Sequence, residues 1–465
     1  MGDRTRQDAV SADGAHLYWG DLHNHNQVGY AKGSLERSID LAQEHLDFFA
    51  FTGHASWHDM PTMPGDRHMK WVDGFKAHSL HWPKTRQMIA DSNTDEFVAL
   101  LGYEWHSSAY GDYCLVFGED QPDLFLPDTL KDLLKFSQTT RALAIPHHVA
   151  YKLGWRGANW DCFRQEISPV VEIFSEHGCT ESDRSPFPMI RHSNGGRSTA
   201  TSIDAQLKKG TRFGFVASTD DHLGYPGAYG EGVVGVWADH LSSMSLFDAV
   251  RARRTYAATG DRIVLDVSLN GQPIGAEMPF DTDREIDVRV EGQDSVQMVE
   301  LVRNGSVIAR HFPEDTVDST PRLPGRAKCR IQYGWGPWAA LDLGRICHWE
   351  ATIAVKGGRL VRALGCFQSV PFGEELRDRL RLVSDTEIHL SSDTAREGAL
   401  GEDPTKSIVI ELEGDEQTVL TVRLTEPSEV TSAARLSELL TENVVEFTGV
   451  FTSESYVINR LVAPS

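Results

Sequence analysis

The chain has 465 residues, with 45 basic and 67 acidic side chains and a formal net charge of −22. Hydrophobic residues make up 40% and charged residues 24%, a globular composition that excludes a disordered chain. The acidic balance argues against a nucleic-acid binder, which needs a basic footprint for phosphates, and against an anionic membrane as partner. No apolar run approaches the ~20 residues of a membrane span. The first twenty residues carry no apolar core of signal-peptide length. The six cysteines are scattered without a C-x-x-C pair, which fits a reducing compartment and sets the expected location as cytoplasmic.

The first half alternates between strand-like and helix-like segments. His16–Leu22 reads as a strand. Ser34 can cap a helix with Leu35, Ile39, Ala42 and Leu46 on one face. Asp47–Thr52 is a second strand, and a helical segment from about Met69 to Asp91 is interrupted or kinked at Pro83. Phe97–Gly102 and Tyr113–Gly118 are strands. Asp128 can cap a helix carrying Leu130, Leu133 and Leu134. Strands follow at Ala142–Ile145, Val170–Phe174, Phe213–Ala217 and Val233–Trp237, with helices near Thr201–Lys209, ending at Gly210, and Leu246–Arg253. Such alternation over residues 1–260 implies a parallel sheet closed as a β/α barrel.

From residue 261 to 465 the pattern is one of alternating apolar and polar residues around turns such as Asn304-Gly305. The runs are Asp261–Asn270, Glu285–Glu291, Val299–Arg303, Val307–Arg310, Trp349–Val355, Ser407–Leu412, Thr418–Leu424 and Val444–Thr452, with a polar loop at Ser391–Lys406. This second domain is expected to be an antiparallel β-sandwich. It is poor in histidine, so the chemistry belongs to the first.

Candidate ligands lie just past successive strands: His23 and His25, His54, Glu104, His147 and His148, Glu172 with His177, and Asp220 with His222. In a β/α barrel those strand ends converge on one rim. Residues i and i+2 at a strand end point the same way, so His23 and His25 can reach one ion, as can Asp220 and His222, with Asp221 facing away. His147 and His148 cannot both point inward from an extended chain, and His147 is favoured. Glu104 follows a buried run, where a carboxylate needs a cation or an arginine partner. Glu172 and His177 are open between ligands and a plain core strand ending in a solvated turn. His58, His68, His78 and His81 match no single helical face and read as surface or substrate-loop residues. Lys152, Arg191 and Arg197 fall in loops on the presumed active face and could hold an anion. No nucleophile elbow or phosphate-binding loop is present.

In order along the chain, WGDLHNH, DFFAFTGH, GYEW, IPHH, VEIFSEHG and STDDH resemble the polymerase-and-histidinol-phosphatase (PHP) superfamily over about residues 20–240. With RRTYAATGDRIVLDVSLNG and the β-domain beyond, the chain resembles the large uncharacterised branch with a C-terminal β-domain. The resemblance implies a distorted seven-stranded β/α barrel holding up to three divalent metals and hydrolysing phosphoesters. By it, His23, His25, Glu104 and Asp220 form one metal site. Glu104 bridges to a second that includes His147 or His148, and His54 and His222 belong to a third.

The sequence departs from that pattern at Thr52-Gly53-His54, where relatives carry Thr-Asp-His, and at Gly29-Tyr30-Ala31-Lys32, where they carry an Asp or His. A histidine that relatives use is also missing around Gly111-Asp112-Tyr113. The expectation is therefore two metals (Mn, Zn or Fe), a third site short of ligands, and the Lys32 ammonium as a substitute positive charge.

The expected activity is hydrolysis of a small anionic ester by metal-activated water. Glu104 and Asp220 act at the metals, and His54 or His222 protonates the leaving group. Amide, ester or lactone hydrolysis on the same scaffold is one alternative. A non-catalytic ligand-binding protein with a degenerate barrel is another, with Trp335, Trp338 and Trp349 stacking on sugars or packing in a core. The β-domain is compatible with a cap on the barrel and with a homo-oligomeric contact.

Overall fold

The computed structural model describes residues 9–63, 65–119, 121–182, 198–293, 296, 298–311, 323–334, 346–367, 378–395, 405–440, 443–444, 446 and 459–461. They divide into two compact units, one ending at Gln293 and the other beyond it. Among the described residues no helix is long and apolar enough to cross a membrane.

The first unit begins with β1 (His16–Asp21), α1 (Leu35–His45), β2 (Phe48–Phe51), β3 (His54–Trp57) and α2 (Arg67–Asp91). It continues through β4 (Val98–His106), β5 (Tyr113–Phe117), α3 (Leu130–Thr139), β6 (Ala142–Pro146), β7 (Val170–Ser175), β8 (Gly178–Cys179) and α4 (Ile203–Lys208). β9 (Gly214–Ala217), β10 (Val233–Ala238), α5 (Ser243–Arg251) and β11 (Thr255–Ala258) complete the alternating part. The larger sheet runs β11-β10-β1-β2-β4-β5-β6, with β3 also on β4, and the smaller runs β8-β7-β9. β6 lies beside β7 and β9 beside β11, so the two sheets form one ring.

This is the α/β barrel expected, and it is distorted. β1, β2, β4, β6 and β11 share one direction, whereas β5 and β10 run against them. The short connection between β4 and β5 leaves no room for the crossover helix that a parallel neighbour needs.

Strand alternation sorts the core. Phe48, Ala50, Val98, Leu100, Cys114, Val116, Leu143 and Ile145 share one apolar cluster. Phe49, Phe51, Ala99, Leu101, Tyr103 and Trp105 pack in another with α1, α2 and α3. Both strand faces are thus buried, as in a sheet covered on both sides.

Ser34 caps α1, its Oγ accepting from Arg37 N at 3.1 Å. The cap of α3 is Thr129 rather than Asp128, with Thr129 Oγ1 accepting from Asp132 N. Pro83 does not end α2, which runs unbroken to Asp91. A proline removes one intrahelical bond, and here buried Trp71, His78, Trp82 and Ile89 anchor the helix on both sides of it.

β12 (Val264–Leu269), β13 (Gln272–Pro273) and β14 (Ile286–Glu291) form a small antiparallel sheet. They belong with the first unit, which extends past residue 260, because Val264 packs with Trp19, Trp237 and Tyr256.

The second unit is an antiparallel sandwich, with a separate hairpin of β15 (Val299–Arg303) and β16 (Ser306–His311). Its remaining strands are β17 (Gly325–Tyr333), β18 (Ile346–Lys356), β19 (Arg359–Cys366), β20 (Arg379–Ser384), β21 (Glu387–Ala395), β22 (Lys406–Gly414), β23 (Val419–Glu426), β24 (Val430–Arg435) and β25 (Asn459–Leu461). One sheet is β19-β22-β17-β25 and the other β20-β21-β18-β23-β24. Alternate residues of both, including Cys329, Ile331, Ile353, Ile388, Ile410 and Val422, meet in one core.

Trp349 is fully buried there, its Nε1 donating to Thr394 Oγ1 at 2.8 Å, so it packs and does not stack on a ligand. Trp335 and Trp338 lie outside the described residues. So does most of Val444–Thr452, and the polar loop at Ser391–Lys406 is shortened by β21 reaching Ala395.

Candidate metal centre

The inner face of β4 shows how the chain builds a site. Val98 and Leu100 point into the barrel, and two-residue periodicity then turns Glu104 and His106 to the same side, while Tyr103 and Trp105 stay in the outer core. β3 pairs with β4 so that His54 lies opposite Glu104. The ends of β1 and β9 are stitched together where Asp220 N donates to His23 O at 2.7 Å and His25 N donates to Asp221 O at 3.0 Å. The histidine pair after β1 therefore meets the acidic turn after β9.

Glu104 is the centre of the cluster. Its Oε2 lies 2.6 Å from His54 Nδ1, 3.5 Å from His25 Nε2 and 3.9 Å from His23 Nε2. Its Oε1 lies 2.9 Å from His106 Nε2 and 3.1 Å from His147 Nε2. Asp220 Oδ1 is 2.9 Å from His25 Nε2 and 3.4 Å from His23 Nε2, and Oδ2 is 3.2 Å from His177 Nε2. His222 Nε2 is 3.0 Å from His54 Nε2, and its Nδ1 is 3.0 Å from Glu176 Oε1. All these side chains are buried except His222, which is 30% exposed.

His23, His25, His54, Glu104, His147, His148, His177, Asp220 and His222 thus come together, as does Glu172, which accepts from His23 Nδ1 at 3.0 Å. Asp221 faces away, accepting from Leu223 N and Tyr225 N.

Several readings from sequence are corrected. His147 and His148 both turn into the site with Glu104, because His148 adopts φ 32° and a left-handed residue breaks strand alternation. His78 is no surface residue: it is fully buried beside Phe51 and Trp82. His68 is half-buried, and His58 and His81 are exposed as expected. Lys32 is exposed, and its backbone N–H donates to His222 O. Lys152 is exposed, and Arg191 and Arg197 lie outside the described residues.

Two residues at the centre were missed. His106 takes the place of the histidine sought near Gly111, and the i, i+2 rule applied to Glu104 would have found it. Arg156 is buried with its Nε donating to Asp112 Oδ2 at 2.8 Å.

The space at Gly53 and at Tyr30 is closed sterically. A Cβ on Gly53 would lie 2.5 Å from Val28 O and 3.1 Å from the His78 ring, so no aspartate fits there. Tyr30, in the turn lacking a ligand, stacks on Trp71 at 4.5 Å, and Trp71 lies 4.5 Å from the His54 ring. The His54 side of the cluster is walled by aromatic rings.

Electrostatics prepare several of the donors, while at His23 burial is outweighed by Asp220, Cys114 and Glu172, which hold the ring well above its usual range. Burial and then neighbouring histidines push His25 to about 4 and His147 to about 3, and hold His54 well below the usual range. These rings keep free lone pairs at neutral pH, as a metal ligand requires. For Glu104, burial raises the pKa but His106, His54 and His147 outweigh it and keep the carboxyl ionised. Burial works against protonation of His222, yet Glu176 raises its pKa to about 9.

A cation fits this donor set. Among the described residues, Glu104 Oε1 and Oε2, Asp220 Oδ2 and both nitrogens of His147 and His148 are buried without an aligned hydrogen bond, although nitrogens approach Glu104 within 3.1 Å. Lone pairs that converge without pairing match metal coordination, and imidazole with carboxylate suits Zn, Mn or Fe.

No family model matches the chain. It is 27% identical over 329 residues to an uncharacterised protein of Chlamydia muridarum and 28% identical over 330 residues to one of Chlamydia trachomatis, in each case over 64% of this chain. The chain spans about half the length of these relatives, 49% of each. Among solved structures, it is similar to a two-domain protein of Bacteroides vulgatus containing a predicted PHP-like metal-dependent phosphoesterase, at 11% identity and TM-score 0.39. That alignment covers 94% of this chain and 100% of that one. It is also similar to endonuclease Q of Pyrococcus furiosus, at 12% identity and TM-score 0.32 over 50% of this chain and 56% of that one.

Proposed function

We propose that the protein is a metal-dependent phosphoesterase acting on a small anionic ester. The observation that carries this reading is the position of Glu104, whose two oxygens face separate donor groups. His23, His25 and Asp220 with Glu104 Oε2 would hold one cation, and His106, His147 and His148 with Glu104 Oε1 a second. When bound, divalent cations supply an acidified water and polarise the scissile bond, worth several kcal/mol.

The chain's own groups do the rest. Glu172 accepts from His23 Nδ1, fixing the tautomer that presents Nε2 to the site. The Tyr151 hydroxyl and His177 Nδ1 share a 2.6 Å hydrogen bond that orients His177 towards Asp220. Tyr30, Trp57 and Trp71 keep water from the side of His54.

Of the two histidines open to proton transfer, His54 is fully buried and His222 reaches the opening. We assign delivery of the proton to the leaving oxygen to His222 Nε2, with Glu176 holding the charge of the ring through Nδ1. The water oxygen bonds to phosphorus, the phosphorus–ester oxygen bond breaks and the departing oxygen takes that proton; of the water's two protons one stays on the phosphate product and the other, released, restores the His222 imidazolium.

The test is metal analysis of the purified chain together with p-nitrophenyl phosphate, a phosphodiester and carboxyl esters. We expect bound metal, turnover of a phosphoester, and loss of both in Glu104→Gln. Turnover of carboxyl esters or amides alone would favour the C–O or C–N hydrolase reading, and no bound metal would overturn both.

A further inference from the structure

We propose that Arg156 is an anion clamp of this centre, built to hold the non-bridging oxygens of a dianionic phosphoryl group. The proposal rests on the phosphoesterase reading and names the recognition it would use.

A guanidinium carries five N–H donors in a planar fork. Arg156 is 4% exposed, and only Nε is used, donating to Asp112 Oδ2 at 2.8 Å. Among the described residues neither Nη group has a hydrogen-bond acceptor. The next carboxylate oxygen, Glu104 Oε1, is 3.9 Å from Nη2, near enough for attraction and too far for a hydrogen bond. A largely buried guanidinium whose two Nη groups bond no described residue has donors left for a ligand to complete.

Its position is fixed before any ligand arrives. Arg156 follows His147 and His148 on a loop that folds on itself, with Gly157 N donating to Lys152 O and Ala158 N to Val149 O. Gly157 is obligatory there, since a Cβ would lie 1.8 Å from Tyr151 O. The guanidinium sits 5.8 Å from the Trp57 ring, and Asp112, which holds its Nε, is 3.4 Å from His148 Nε2.

Charge gives the ligand's sign. With Asp112 set against Arg156 and Glu176 against the His222 ring, the buried carboxylates Glu104, Glu172 and Asp220 are the remaining negative groups around the Glu104 cluster. Two dications would leave it positive, and a guanidinium beside Glu104 then needs an anion between them. Arginine matches a phosphoryl group through two parallel N–H bonds, which a neutral carbonyl cannot accept.

The test compares the metal-loaded full chain with Arg156→Met at equal metal content. Calorimetric titration with inorganic phosphate is expected to show binding weakened by about 10- to 100-fold, the range for charge-assisted hydrogen bonds. The ratio of kcat/KM for p-nitrophenyl phosphate to that for p-nitrophenyl acetate is expected to fall by a similar factor. Unchanged phosphate binding would overturn the proposal, as would both esters falling in parallel, which would mark Arg156 as a prop for Asp112 and His148. If Arg156→Met loses metal, Arg156→Lys carries the same test, because it keeps a charge opposite Asp112 and loses the fork. If the chain hydrolyses neither ester, the phosphoesterase reading fails and phosphate titration alone decides the clamp.

Discussion

An imidazole buried without a partner makes acid a direct measure of how α2 seats on the barrel. His78 is fully buried, and among the described residues neither ring nitrogen has a hydrogen bond. Burial first, and then His25, pushes its pKa down to about 3. In the unfolded chain it titrates near ~6.5. Between those values the unfolded state binds a proton that the folded state refuses, so its contribution is whole above about pH 6.5 and is lost as pH falls towards 3. At ~1.4 kcal/mol per unit, the loss amounts to about 2 kcal/mol at about pH 5. His78→Phe keeps a ring between Phe51 and Trp82 and removes the titration. We expect urea unfolding of the metal-free chain, followed by tryptophan fluorescence, to weaken less in the variant between about pH 7.5 and 5, by about 2 kcal/mol. Comparing variant with wild type at each pH cancels His25, His54, His147 and His148, whose pKa values are also depressed. Equal pH dependence in the two proteins would refute the argument.

His106→Phe should remove one equivalent of bound metal and lower phosphoester turnover by at least about 100-fold, while near-ultraviolet circular dichroism stays that of wild type. Full metal content in that variant, read by elemental analysis, would exclude His106 from the second donor group. Chelation should lower the melting temperature of the first unit, because ligands held only by the folded state contribute ~2.7 kcal/mol each at a hundredfold excess over Kd. Calorimetry with and without EDTA decides this, and an unmoved transition after proven metal removal would mean that the donors do not hold the ion.

The barrel and the rim were legible because two periodicities carry them. Apolar runs of four to six residues mark the strands, and the residue just past each run falls on the rim whatever the exact twist. That suffices for His23, His25, His54, Glu104, Asp220 and His222. Reversed strands such as β5 and β10 were not legible, since a strand buried on both faces has the same composition in either direction. Nor was His148, whose inward turn depends on a left-handed φ that no residue type there announces. Arg156 is one arginine in a glycine-flanked loop, and nothing in such a loop distinguishes a buried guanidinium from solvated Lys152 four residues earlier.

His106 is the instructive omission, because the rule that selected His23 and His25 applied to it unchanged. The resemblance points to a histidine near Gly111, while β4 carries one two residues after Glu104 on the same face. The departures at Gly53 and Tyr30 have the same lesson in reverse. At each, what occupies the space is visible: the His78 ring and Val28 O at one, a Tyr30–Trp71 stack at the other. A site that lost a cation by drift would leave a polar gap, costly to bury. Here the space is closed by rings while the donors around Glu104 stay together, so the polar atoms left at the centre are ones a cation could pair.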